Sequence, residues 1–284
     1  FLRMPVGIAT AIFLPLVGAA IWVGQYIPID LGQHEGLTPA AVHRIWCAIL
    51  LAYCFVASVV PMWLLLQPRG HLGGYFLYVA LIGGTLGILF GDGTLKYPAF
   101  RGWVAENGNP LFPFLFITIA CGACSGFHAM VASGTTSKQL RSETDARPIA
   151  YGGMLLEGMV AVISLCCVMV LTPQAAQLTG KINPDDIYAR GIGGFLAVLG
   201  VPYTFAVSFA MMAFTTFIYD TLDVCTRLGR YVLQELLGMH DLVGRMVATA
   251  LTVGAPLYFL LSAPTGEQGQ VVPAFLVFWG LFEI

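Results

Sequence analysis

The 284-residue sequence predicts an all-α fold, a polytopic bundle of transmembrane helices. Hydrophobic residues make up 58% of the chain and charged residues 10%, with a mean hydropathy of +0.82, whereas a soluble domain carries about 25% charged residues. The charge deficit runs the whole length, which excludes a soluble domain with one anchor. Apolar windows long enough to cross a bilayer recur along the chain.

The windows place spans near 4–28, 39–66, 72–91, 111–132, 150–171, 195–224 and 243–262, with a partial one at 271–284. Together they predict a single transmembrane domain over 1–284. No charged segment with a cleavage site precedes the first span, so it reads as a membrane helix and not as a signal peptide. Thr38-Pro39 opens the second, with Thr as the cap and Pro at the first helical position. Pro61 should kink that span, and Pro68 with Gly70 should end it. In the third, Gly73, Gly74, Gly83, Gly84 and Gly87 suit close helix packing. After the sixth span, DVCTRLGRYVLQELLG turns amphipathic, as a helix end leaving the membrane or a short interfacial helix does. Phe1 at the start and the short apolar run stopping at Ile284 predict a fragment of a longer protein, or one half of a split one.

Alternating the spans puts Arg3, Arg69, Lys138, Arg141, Arg147, Arg227, Arg230 and Arg245 on one side. Arg44, Lys96, Arg101, Lys181 and Arg190 fall on the other. The 8-to-5 bias makes the first side cytoplasmic. A net charge of −2 gives no footing for nucleic acid. The seven cysteines are odd in number and mostly lie in apolar runs, against a disulfide framework. Cys121 and Cys124 form a CxxC, but only His128 is near as a further ligand, so neither a metal nor a redox role is expected.

Residues 110–136, PLFPFLFITIACGACSGFHAMVASGTT, carry the main functional signal. An apolar run is broken by Gly122, Ser125, Gly126 and His128. Loosened backbone survives at membrane depth only against protein or a water-filled cavity. Discontinuous helices of this kind hold substrates and ions in secondary transporters. His128 suits proton coupling. Thr135 and Thr136 extend the site or cap the helix end. The competing reading is a packing-glycine cluster with a hydrogen-bonded core histidine.

Glu157 falls inside the fifth span and is a proton-carrier candidate, or a structural carboxylate paired with another helix. Thr215, Thr216, Asp220, Thr221, Asp223 and Thr226 set hydroxyls and carboxylates at three- and four-residue spacing on one helix, which suits Na+ or a proton relay. The plainer alternative is an interfacial cap with Asp223 and Arg227 as an i,i+4 pair. Tyr53, Ser58, Pro61 and Trp63 line a kinked site or form a proline bend with an aromatic belt. There is no phosphate-binding GxxxxGK[ST] loop, no GxSxG elbow and no HExxH motif, so the sequence predicts neither an enzyme nor a bound cofactor beyond a coupling ion, H+ or Na+.

FVASVVPMWLLLQPRG (55–70), the 110–140 block, IAYGGMLLEGMVAVISL (149–165) and LDVCTRLGRYVLQELLG (222–238) resemble, in order and spacing, successive blocks of the carbon starvation protein A (CstA) family. The resemblance covers roughly 40–284. It implies a multi-pass bacterial inner-membrane transporter of peptides or pyruvate, with proton coupling proposed for the pyruvate transporters. It also implies an inverted repeat of five plus five helices, the amino acid–polyamine–organocation fold. In that fold the Pro61 span pairs with a broken helix absent here, and the Gly122–His128 span is the eighth core helix. The resemblance singles out Asp223, Thr226 and Arg227. Cys124, Cys225 and the Glu283-Ile284 end depart from the family pattern. The expected partners are membrane lipid, a small-molecule substrate, and N-terminal helices from the same or another chain. Two functions follow as expectations: a coupled importer of a small carbon source, or a non-transporting half-transporter that scaffolds a larger complex.

Overall fold

The structure is a computed structural model. It describes residues 5–27, 31, 37–91, 93–98, 100, 102–104, 110–113, 115, 116, 119, 126–170 and 184–262. Helices α1 (Val6–Gly24), α2 (Pro39–Val59) and α3 (Leu66–Phe90) come first. Helix α4 (Gly126–Val131) runs into a π-helical turn (Ala132–Thr136) and a 3-10 turn (Ser137–Gln139). A second 3-10 turn (Glu143–Asp145) leads into α5 (Ala146–Met169), followed by α6 (Pro184–Val198), α7 (Tyr203–Leu237) and α8 (Leu242–Ser262). Among the described residues there is no named strand, and six helices are long and apolar enough to cross a membrane: α1, α2, α3, α5, α7 and α8.

The helical membrane class is as the sequence predicts, and so are two boundaries. Thr38 caps α2, its Oγ1 accepting from the Ala41 N–H at 3.3 Å. Helix α8 starts where expected, with Asp241 Oδ1 accepting from the Gly244 N–H at 3.0 Å.

Three boundaries differ. Pro61 does not kink a span running to 66; it ends one. Val60 is extended (φ −72°, ψ 148°), the conformation a following proline favours, and α2 stops at Val59. Pro68 and Gly70 lie in the first turns of α3 instead of ending α2, since a proline there gives up only an N–H that has no helical partner. The expected 195–224 span is two helices. Gly200, at φ +88°, takes a left-handed conformation that a side chain disfavours, and Pro202 precedes the new start at Tyr203. The amphipathic stretch 222–238 then continues α7 without interruption. Its 35 residues reach roughly 52 Å, well beyond a hydrocarbon core of about 30 Å. Gly238, at φ +65°, closes it, with the Met239 N–H bonded to Gln234 O at 3.1 Å. Most of the break in 111–132, the partial span 271–284, and Arg3, Arg101 and Lys181 lie outside the described residues.

The chain forms two compact units: Phe1–Pro28, Gln67–Phe100 and Arg141–Asp220 in unit 1, and Ile29–Leu66, Arg101–Leu140 and Thr221–Ile284 in unit 2. Unit 1 is cored by Ala80, Leu81, Ile163, Cys167, Ile192 and Leu196. Of its α3 glycines, Gly73, Gly83, Gly84 and Gly87 pack closely, whereas Gly74 does not. A Cβ on Gly84 would lie 3.0 Å from Ile163 Cγ2, and one on Gly87 would lie 2.6 Å from Phe195 Cα. In unit 2, α2 packs on α8, with Ala57, Ser58, Ala248 and Thr249 buried and Ser58 Oγ 3.4 Å from Thr249 Oγ1.

Candidate functional site

Unit 1 holds a cavity of about 380 Å³. Its walls come from the first half of α3, Val160 and Ser164 in the second half of α5, Tyr188 of α6, and α7 between Ala213 and Asp220. Gly73 and Gly74 shape it in opposite ways. A Cβ on Gly73 would sit 3.2 Å from Thr216 Cγ2 and 3.6 Å from Asp220 Oδ2, so glycine lets that face of α7 approach. A Cβ on Gly74 or Gly70 would meet nothing within 4 Å, so both leave the space open, Gly74 where the sequence pattern predicted contact. The wall is mostly apolar, with the hydroxyl side chains Ser164, Tyr188 and Thr216 and one carboxylate, Asp220. Arg69, in the first turn of α3, donates from Nε to Asp220 Oδ1 at 2.8 Å, and its Nη2 is also 2.8 Å from that oxygen. Both side chains are part-exposed, which keeps the pair within reach of an incoming ion.

Unit 2 holds a buried charge cluster. Arg227 (1% exposed) donates from Nε to Asp223 Oδ1 at 3.0 Å and from Nη1 to Val60 O at 2.9 Å, and Nη2 reaches Ala57 O. Arg245 Nη1 adds a bond to Val59 O at 3.4 Å. Carbonyls at a helix C-terminus lack intrahelical partners and carry partial negative charge, so two arginines satisfy the end that Pro61 creates. Arg230 is buried as well, and Asp223 Oδ2 and Arg230 Nε make no hydrogen bond among the described residues.

The polar spacing on α7 therefore serves two places. Thr216 and Asp220 face the unit 1 cavity. Asp223, Thr226 and Arg227 are buried in unit 2, where Asp223 and Arg227 form the i,i+4 pair. Thr226 Oγ1 bonds back to Leu222 O at 2.7 Å, and Thr215 Oγ1 to Met211 O at 2.8 Å. Ser58 is buried at the end of α2, Tyr53 half-buried, and Pro61 and Trp63 exposed in the connection.

Gly122 and Ser125, with Cys121 and Cys124, lie outside the described residues, whereas Gly126 opens α4 and His128 is exposed on it. Thr135 is buried in the π-helical turn, its Oγ1 bonded to Val131 O at 2.9 Å, and Thr136 is half-buried. Glu157 lies near the middle of α5 and is exposed; Arg190 lies within α6 and not in a loop, its Nε bonded to Asp186 Oδ1 at 3.0 Å.

Sequence reasoning missed Ser164 and Tyr188 as cavity residues and Arg69 as the partner of the cavity's Asp220. Arg69 entered only as a topology charge, and its position in the first turn of an apolar, glycine-rich helix was the one local sign. A second groove, in unit 2, lies between the π-helical turn and the end of α7, with Lys138 Nζ 4.3 Å from the centre of the Tyr231 ring.

Fold and site define a multi-pass helical membrane protein with a carboxylate, Asp220, on the wall of a small apolar cavity and paired with Arg69. The model of the family described as carbon starvation protein CstA matches residues 1–180 and 174–283, and the chain belongs to that family. It is 35% identical to the peptide transporter CstA of Escherichia coli K12 over 83% of this chain and 42% of that protein. It is 32% identical to the peptide transporter CstA of Bacillus subtilis 168, over 83% and 45%. To the pyruvate/proton symporter BtsT of Escherichia coli K12 it is 30% identical, over 98% and 49%. The chain thus spans a little under half the length of these relatives. No solved structure matches it.

Proposed function

We propose that the chain belongs to a secondary transporter of the bacterial inner membrane that imports a small carbon nutrient, pyruvate or short peptides, in symport with a proton. The observation that carries this reading is Asp220, a carboxylate paired with Arg69, on the wall of a cavity otherwise lined mainly by apolar groups. Ionisable residues inside a membrane usually serve an ion or substrate path, and family relatives are named as transporters. Substrate binds near the midplane, and one helix bundle rocks against the other in an inverted-repeat arrangement. Gly122, Ser125, Gly126 and His128 contact substrate or ion, with Thr135 and Thr136 beside them. Glu157 and His128 are the proton-carrier candidates, and Na+ is the alternative coupling ion.

The test replaces His128 and Glu157 separately and measures pyruvate-driven proton uptake, with sodium exchanged for choline in a parallel series. Loss of coupling in one variant assigns the carrier. Unchanged coupling in both rejects the two residues, and dependence on sodium replaces the proton. A second reading is a non-transporting subunit that scaffolds a larger complex. Uptake that requires this chain's cavity residues argues against it.

A further inference from the structure

We infer that the arginine cluster of unit 2 binds a phosphate group through Arg230 and Arg245, whether that group heads an anionic phospholipid or comes free from solution. Arg227 and Arg245 both stand within Coulomb range of Arg230, and the one carboxylate of the cluster is Asp223. Arg227 is fully used, its three nitrogens bonding Asp223 Oδ1, Val60 O and Ala57 O. Arg230 is not. It is 4% exposed, and its Nε makes no hydrogen bond among the described residues. Its Cζ lies 4.5 Å from the centre of the Tyr231 ring, which brings no countercharge. Arg245 spends one nitrogen on a 3.4 Å bond to Val59 O. Glu235 and Asp241, the next carboxylates along the chain, are exposed, and neither pairs with these arginines among the described residues.

Three guanidinium groups against one carboxylate leave a surplus of two positive charges. The partial charge of about one half at the C-terminus of α2 offsets only part of it, and a buried cation without a counter-ion is costly. An anion at Arg230 and Arg245 removes that cost. Two guanidinium forks present more parallel donors than one carboxylate accepts, whereas a phosphate group has oxygens for both.

The depth of the cluster fits a headgroup. Helices α2 and α8 run 21 residues each, roughly 32 Å, about the thickness of a hydrocarbon core. Arg245 lies in the first turn of α8 and bonds the last turn of α2. The arginines therefore gather where both helices meet the interface, a level at which basic pockets between helices hold lipid phosphates. Leu242, Val243 and Met246, exposed at the same end of α8, give an apolar flank for acyl chains.

The experiment uses the protein with the flanking sequence and partner chains it carries in the cell, washed in dodecyl maltoside and phosphate-free buffer at fixed ionic strength. Retained phosphorus is assayed, and the unfolding midpoint is followed against added dioleoylphosphatidylglycerol, sodium phosphate or oleate. Wild type is expected to retain phosphorus or to be stabilised by a phosphate-bearing probe. Response to the lipid alone assigns a headgroup, and response to sodium phosphate as well assigns the free anion. Arg230→Met should raise the half-saturating concentration about tenfold, the low end for a charge-assisted hydrogen bond. Without ligand that variant should be at least as stable as wild type, since it removes a buried uncompensated charge, and with ligand it should be the less stable. Lys138→Gln, which removes an exposed cation 4.3 Å from the Tyr231 ring centre, should leave the affinity unchanged. The inference is overturned by a wild type that neither retains phosphorus nor responds to either phosphate probe, or by oleate acting as well as the phospholipid. Equal loss of stability in Arg230→Met with and without ligand, or an equal effect of Lys138→Gln, overturns it too. The wild-type titrations need no variant, so a variant that misfolds leaves the test intact.

Discussion

Arg227 holds a full charge at 1% exposure, a position that only saturated pairing makes tolerable. It bonds one carboxylate oxygen and two main-chain carbonyls, so its planar guanidinium ties α7 to the broken end of α2. Removing the side chain strands Asp223 in the interior and leaves those carbonyls unpaired. Arg227→Ala is therefore expected to lose about 3–5 kcal/mol of stability, read as a lowered unfolding midpoint in detergent. Arg227→Lys keeps the charge but not the fork, so most of the loss should remain. A midpoint equal to wild type in both variants would show that the bonds do not hold the α2 end. The four-residue spacing made the Asp223–Arg227 pair legible in the sequence. Its other partners were not, because Val60 stands 167 positions away and its carbonyl is free only because Pro61 stops the helix.

At the scale of elements, glycine has three jobs here that composition alone does not separate. Gly87 sits where a Cβ would press on the Phe195 backbone, Gly74 faces open space, and Gly200 holds a left-handed turn between α6 and α7. Gly87→Ala should destabilise by about 1–3 kcal/mol through overpacking. Gly74→Ala should be neutral or gain up to about 1 kcal/mol, since alanine is the better helix former and meets nothing. Thermal unfolding of the two variants side by side checks the opposite signs; equal losses would mean that α3 does not lie as described. Apolar period and length made the existence of α1, α2, α3, α5 and α8 readable. The division of 195–224 was missed because the short Gly200-Val201-Pro202 break is embedded in residues as apolar as the helices around it. The cavity was invisible for a related reason: GG pairs that pack and GG pairs that open space look alike until the facing helix is known.

At the scale of the whole molecule, the arrangement of charges makes a prediction that bears on the broken stretch itself. Within unit 1, Arg69 and Asp220 share one end, and the Lys96 and Tyr97 N–H groups bond to Met169 O, at the far end of α5, at 3.0 and 3.1 Å. Helices α3 and α5 therefore both run from the Arg69 end toward the Lys96 end, and the chain must return between residues 98 and 141. On the orientation that the sequence's positive-charge bias predicts, the Arg69 end is the cytoplasmic one. A reporter inserted after Leu140 should then be active only as a cytoplasmic protein, and one after Pro98 only as an exported one, read with paired phosphatase and fluorescent-protein fusions. If both fusions report the same side, the 111–132 segment does not cross, and the charge-based orientation fails with it. The apolar run with its glycine break would then have to enter and leave by one face. A backbone loosened there, as the sequence predicts, would still require protein or water beside it, because hydrocarbon offers no hydrogen-bond partner.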